Sequence, residues 1–335
     1  MDISTLPGAI QGGAMQGILW SIMTLGVYIT FKILNFADMT VDGSFATGGA
    51  VTAVLVAHGV NPFLALLMAA AVGMICGFIT GILHTKLDIP AILAGILTMI
   101  ALYSVNIRIM GQPNIPLLGV STIITQVSSL LPFISTNIIT MIIGVIFAVA
   151  VIALLYWFFG TEIGSAIRAT GNNEYMVRAL GVNTDKTKIL GLLLSNGLIA
   201  LSGAMVAQSQ GYADVQMGQG TIMIGLASII IGEVLLGSRF SFAYKLFSVV
   251  VGSILYRVII ALVLWFGLKS TDLKLFTSIV VIIALAVPVI KRKKLFAPVT
   301  AALKKLFAPV ARIASRIKTK LSGKAKSVES EEDSK

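Results

Sequence analysis

The sequence predicts an all-α polytopic membrane protein with about nine transmembrane segments. Three observations carry that expectation. Of 335 residues, 57% are hydrophobic and only 12% are charged, whereas a water-facing surface needs roughly a quarter. Apolar runs near the ~20 residues that span a hydrocarbon core recur along the chain. Of the 25 Lys and Arg residues, 13 fall in residues 291–335, so the basic character belongs to a tail. Beside a membrane, such a tail implies attraction to anionic lipid head groups, not nucleic acid.

The candidate spans lie at about 14–34, 41–57, 62–84, 89–108, 137–159, 187–208, 221–237, 243–266 and 273–290. Together they make residues 1–290 a permease-like membrane domain. The runs at 41–57 and 221–237 are short and contain glycine. Interrupted segments of this kind are half-helices or re-entrant elements that line a cavity.

Orientation follows from the basic loops. With the tail (Lys291, Arg292, Lys293, Lys294) in the cytoplasm, the loops holding Arg239 and Lys245, then Arg168, Arg178, Lys186 and Lys188, then Lys86, then Lys32 all fall inside. Arg108, Lys269 and Lys274 fall outside. An odd span count places the N-terminus outside; eight or ten would move it. Spans beginning near 14 and 187 then run in opposite directions. Phe36-Ala37-Asp38 with Gly43 and Gly49 after the first resembles Tyr212-Ala213-Asp214 with Gly220 and Gly225 after the second. The two readings are coincidence and an inverted-topology repeat.

The outer loop 109–136, with Pro113, Pro116 and Pro132, is too polar to span and could fold over the outer mouth. The inner loop 160–188 interleaves Ile163, Ile167, Met176, Val177 and Leu180 with charges. Asn173–Leu180 can form a short helix capped by Asn172 or Asn173, with Glu174 in its first turn, Arg178 in its last and Gly181 as C-cap. In the tail, KKLFAPV occurs at both 293–299 and 304–310. Apolar residues at steps of three and four predict a basic amphipathic helix over 291–321 on the inner leaflet. Residues 322–335 are polar and read as disordered.

No Walker A, HExxH or GxSxG motif is present, so the chain carries no ATPase site of its own and no catalytic residue is expected. The single cysteine, Cys76, and the two histidines, His58 and His84, stand without partners at metal-ligand spacing,. Two ionisable residues interrupt apolar runs, Glu233 and Arg257, where charge is costly. Each is read either as a structural partner of a neighbouring helix or as a functional group. A Glu233–Arg257 pair is also open. Asp42 reads as the cap of the short segment 41–57, with substrate contact as the alternative. Asn35, Ser44, Thr47, Asn106, Ser195, Asn196 and Gln208 are polar groups within or at the ends of apolar spans. They line an aqueous pathway or make helix–helix hydrogen bonds.

GAMQGILWSIMTLGVYITFKILNFADMTVDGSFATGGAV resembles the opening of bacterial ABC-importer permeases of the branched-chain amino acid type, with its LNFA-like turn and glycine-rich segment. GSAIRATGNNEYMVRALGVNTDK is similar to that family's cytoplasmic coupling loop. LAGILTMIALYSVNIRIMGQPNIPL resembles a subgroup associated with tryptophan or tyrosine uptake. The resemblance covers about residues 12–290. It implies a multi-pass permease subunit in a bacterial plasma membrane, paired with a second copy. Two cytoplasmic ATPase subunits would bind the ATP, and an extracytoplasmic substrate-binding protein would deliver ligand. Glu162, Arg168, Asn172, Asn173, Glu174, Arg178 and Gly181 are then the residues expected to couple the chain to the ATPase. The rival reading is an ion-coupled secondary transporter, which should carry more intramembrane carboxylates than this chain has.

Overall fold

The computed structural model describes residues 5–237, 241–267, 272, 275–282 and 286. The expected basic helix at 291–321 and the polar end at 322–335 lie outside the described residues. Helix α1 (Leu6–Tyr28) continues into a π-helical turn, Ile29–Ile33. The helices α2 (Thr40–Ala57), α3 (Pro62–Thr85) and α4 (Ala91–Met110) follow, then a three-residue strand β1 (Asn114–Pro116) and a short α5 (Ile123–Leu130). The chain continues through α6 (Thr136–Phe159), α7 (Glu162–Asn172), α8 (Glu174–Ala179) and α9 (Thr184–Gln210), then β2 (Tyr212–Asp214), α10 (Thr221–Leu236) and α11 (Phe242–Trp265).

Among the described residues, seven helices are long and apolar enough to cross a membrane, and α10, with 16 residues, is a shorter apolar helix. These eight match the first eight expected runs. The ninth, 273–290, lies largely outside the described residues, although 275–282 is helical. Among the described residues the count is thus seven full spans and one short helix, and the ninth expected run is left open.

Helix α9 packs against α1, α2 and α3, while α1 also packs against α6, α10 and α11. Their shared core holds Ile22, Met23, Leu25, Phe45, Leu192 and Ile199. Lipid gives little hydrophobic drive for helices to associate, so close backbone approach and hydrogen bonds hold them. Ser195 donates to the Gly26 carbonyl, Ser202 to Leu19 and Ser253 to Gly17, at 2.8, 2.8 and 2.9 Å. At Gly77 of α3, any Cβ would collide with the Leu192 carbonyl of α9.

The packing repeats with exchange of partners. Helix α3 lies on α9 as α11 lies on α1, and α2 meets α3 as α10 meets α11. Both breaks carry the same turn: Asp38 accepts from the Thr40 amide, and Asp214 from the Gln216 amide. The packing pattern and the turn therefore both recur in the two parts of the chain.

One end of the bundle gathers the basic segments. There Lys86 lies 3.7 Å from Asp185, and the Arg168 guanidinium sits over the Phe242 ring. At the opposite end β1 pairs antiparallel with β2, tying the loop after α4 to the loop after α9. Helix α5 is fixed there because the Ile123 amide donates to Gln208 Oε1 at 2.9 Å. The loop 109–136, expected as a fold over the mouth, is this strand-and-helix cap.

Candidate functional site

Two short helices begin inside the molecule and meet at one carboxylate. The π turn ends α1 early, and Asn35 then takes a left-handed backbone (φ 51°), a conformation asparagine tolerates. The chain re-enters as α2. Asp38, 2% exposed, accepts from Thr40 N at its start and from Asn196 Nδ2, each within 2.9 Å. Asp42 in the first turn of α2 reaches across to α10 instead of capping its own helix. Its Oδ2 accepts from Gly220 N, and its Oδ1 from Ile222 N and the Thr221 hydroxyl, at 2.8–3.0 Å. Sequence reasoning placed the cap on the right residue and the wrong helix. A cap is ordinarily local, and nothing in the local pattern reveals a helix start 178 residues away.

The expected pathway residues divide. Ser44 donates to Asn196 Oδ1 at 2.6 Å, Thr47 bonds back to the Gly43 carbonyl, and Ser195 donates to Gly26. Gln208 bridges Ile123 N and the Pro62 carbonyl. These groups, with Asn196, are buried and bonded in this conformation. Asn35 and Asn106 instead line cavities. Asn106 lines one of about 400 Å3 between α2, α4 and residues 215–219, with Asp42, Gly43, Met99, Tyr103 and Gln219. Its own Oδ1 is buried without a partner. A ladder of hydroxyls at Thr40, Thr80 and Thr98, spaced 2.7 and 3.0 Å, joins α2, α3 and α4. Sequence reading missed it, since threonines back-bonded within helices carry no distinguishing local signal.

At the basic end, α7 and α8 form a braced pair. Thr161 caps α7 by accepting from Gly164 N, and Asn173 caps α8 by accepting from Met176 N. Gly181 ends the unit with φ 84°. The expected short helix at 173–180 is thus α8, while α7 before it was not anticipated. Glu174 meets Lys188 at 2.7 Å and Arg178 at 2.9 Å, and Arg178 also donates to the Thr184 hydroxyl. Burial pushes the Glu174 carboxyl up, but Lys188, Thr184 and Arg178 together outweigh it and hold it below its ordinary value,. Gly171 lies so close to the Ile33 carbonyl that no side chain fits between α7 and the π turn. Beside this contact, between residues 34–37, the start of α4 and the α7–α8 junction, is a cavity of about 610 Å3 lined by Asn35, His84, Asn172, Glu174, Tyr175 and Lys188.

Of the expected coupling residues, Glu174 and Arg178 brace the unit internally and Arg168 reaches Phe242. Glu162 and Asn172 are exposed. Sequence reading missed the outward apolar side chain of Tyr175, 85% exposed. Those of Met176 and Leu180, read as interleaved apolar residues, also face outward here.

The ionisable residues of the spans are separate. Glu233 pairs with Lys32 at 2.8 Å. Arg257 stacks over Trp20, 3.6 Å from its centroid, and lies 3.4 Å from Gln16 Oε1. The Glu233–Arg257 pair left open by the sequence is not formed. Among the described residues, no group of three or more His, Cys, Asp or Glu could hold a metal.

The family model for the permease component of branched-chain amino acid transport systems matches residues 9–286. The chain belongs to this family. It is a multi-pass membrane protein of the ABC-type permeases. It is 44% identical over 271 residues to a tyrosine transport system permease protein of Clostridioides difficile (strain R20291), covering 81% of this chain and 88% of that one. It is 29% identical over 208 residues to a ribose import permease of Escherichia coli (strain K12), 60% of each chain. Among solved structures, PsaBC from Streptococcus pneumoniae in complex with Fab aligns with a TM-score of 0.50 at 14% identity. That alignment covers 84% of this chain and 95% of the other, a likeness of fold alone.

Proposed function

We propose that this permease is the transmembrane subunit of an ATP-driven importer of amino acids, with aromatic amino acids such as tyrosine or tryptophan as substrate. The observation that carries the reading is the braced α7–α8 unit. It sits at the basic end, which by charge is cytoplasmic, and it presents Tyr175, Met176 and Leu180 outward. An apolar face on a segment outside the spans favours a protein partner. Two cytoplasmic ATPase subunits, one on each copy of a permease dimer, are the partners proposed, and they bind the ATP. A substrate-binding protein docks at the opposite end, on the cap built by β1, β2 and α5. The 44% identity to a tyrosine transport permease supports the substrate class.

In this reading ATP closes the ATPases, α7 and α8 follow them, and Gly171 against Ile33 transmits the motion to the π turn and the α2 break. Only differential binding energy between two states can drive such a shift. Of the pathway residues, Asn35 and Asn106 line cavities in this state, Ser44, Ser195, Asn196 and Gln208 tie segments together, and Thr47 bonds back within α2.

Co-purification with the ATPase and uptake of labelled tyrosine and tryptophan test the proposal. Tyr175→Ala with Met176→Glu should reduce both at least tenfold, and Arg178→Glu, which breaks the brace, should lower uptake. Unchanged co-purification would reject the docking face. Uptake that persists without ATP would favour an ion-coupled carrier.

A further inference from the structure

We propose that the cleft between α2, α4 and residues 215–219 binds the ammonium group of an amino acid, with Asp42 as its counter-charge and Asn106 as a second acceptor. The inference rests on the amino acid reading above and locates the site at which that substrate is recognised.

Asp42 is the starting point. It is half-buried inside the membrane domain and lines the 400 Å3 cavity. Ionisable residues in such positions are usually paired with an opposite charge. Glu233 has Lys32 and Glu174 has Lys188, but no cation lies within salt-bridge distance of Asp42 among the described residues. What holds Asp42 is the start of α10: two backbone amides and one hydroxyl, backed by the positive end of the helix dipole,. A carboxylate offers about four acceptor positions, and three are taken. One at Oδ2 is left, on a negative group that nothing neutralises fully.

Asn106 is the independent observation. It is 1% exposed, lines the same cavity, and its Oδ1 has no partner in the chain. Leaving a buried polar atom unpaired costs about 1–3 kcal/mol. A flip of the amide places its oxygen where Nδ2 now stands, and there a ligand donor at the cavity wall can bond it,. An ammonium has three donors in a compact group, enough to reach a carboxylate and an amide oxygen together.

The remaining walls suit the rest of such a molecule. Met99, Ile100 and Tyr103 of α4 supply an apolar and aromatic side. The volume lies within the ~300–1,000 Å3 of small-molecule sites. A matching cavity of about 360 Å3 lies across the repeat, between α10, Tyr256 of α11 and residues 277–281. Its polar lining is Gln219, Tyr256, Thr277 and Ser278, all uncharged. Two related cavities thus differ in charge, and only the one at Asp42 fits a cation.

The test uses the full-length permease assembled with its ATPases in lipid nanodiscs. Ser104→Cys, at the cavity wall, reports access to a maleimide in a Cys76→Ser background. L-tryptophan should slow labelling at least threefold. Indole-3-propionate, which lacks the ammonium, should not, and Asp42→Asn should abolish the protection. Equal protection by indole-3-propionate overturns the inference without any variant at Asp42, so a folding defect in Asp42→Asn leaves the test intact. Import of tyrosine or tryptophan by the same assembly in proteoliposomes, with no protection by either at Ser104→Cys, rejects this site alone. Import of neither rejects both the site and the amino acid reading.

Discussion

Glu174 shows how one residue braces a short element. Its folded carboxyl is held down chiefly by Lys188, so its contribution is complete above the ordinary carboxylate value of 4.5. That contribution is lost as pH falls through the lower folded value. A nitroxide at Tyr175→Cys should therefore report an ordered α8 from pH 7 to about 5, loosening only below the ordinary carboxylate value. Glu174→Gln should loosen it already at pH 7. If the two spectra coincide at pH 7, the Glu174 pairs do not brace the unit. Arg257 illustrates the opposite case. Its charge is carried mainly by the face of Trp20, the arrangement that lets a guanidinium stay within a span without a carboxylate partner,.

At the scale of elements, small residues decide which helices touch. Gly77 brings α3 onto the Leu192 carbonyl of α9, and interhelical hydrogen bonds contribute only about 0.6 kcal/mol each on average in membranes. Close packing is thus the larger part of this interface. Gly77→Val should cost about 1–3 kcal/mol through overpacking, read as a fall of several degrees in the melting temperature of the purified permease. Val72→Leu on the same helix, a partly buried position, is the control and should leave it nearly unchanged. Equal melting temperatures would mean that α3 and α9 can move apart at little cost. The α10 start shows a second kind of element-level dependence. A 16-residue helix that begins inside the bundle needs its first amides satisfied from elsewhere, and Asp42 of α2 does this.

At the scale of the molecule, the helices pack around α1 and α9, with charge sorted to one end. Leu118 and Phe133 are exposed at the end away from the basic loops. In a Cys76→Ser chain, cysteines placed there should react with a membrane-impermeant maleimide on intact cells. A cysteine at Tyr175 should react only after permeabilisation. The reverse pattern would invert the molecule in the membrane and overturn the proposed ATPase contact at α7 and α8.

The sequence by itself determined the class, the first eight apolar segments and the capped helix at 173–180, because each depends on local properties. Lipid demands long apolar runs, and an N-cap asparagine, a first-turn glutamate and a terminal glycine act within a few residues. The tertiary structure alone decided which polar residues find a partner. Ser195 and Asn106 look alike in sequence, yet Ser195 finds the Gly26 carbonyl across 169 residues while the Asn106 Oδ1 finds nothing. It also decided that Asp42 serves α10, that Glu233 takes Lys32, and that Arg257 takes Trp20. Each is a meeting of distant segments brought about by close helix packing, and no local pattern encodes that meeting.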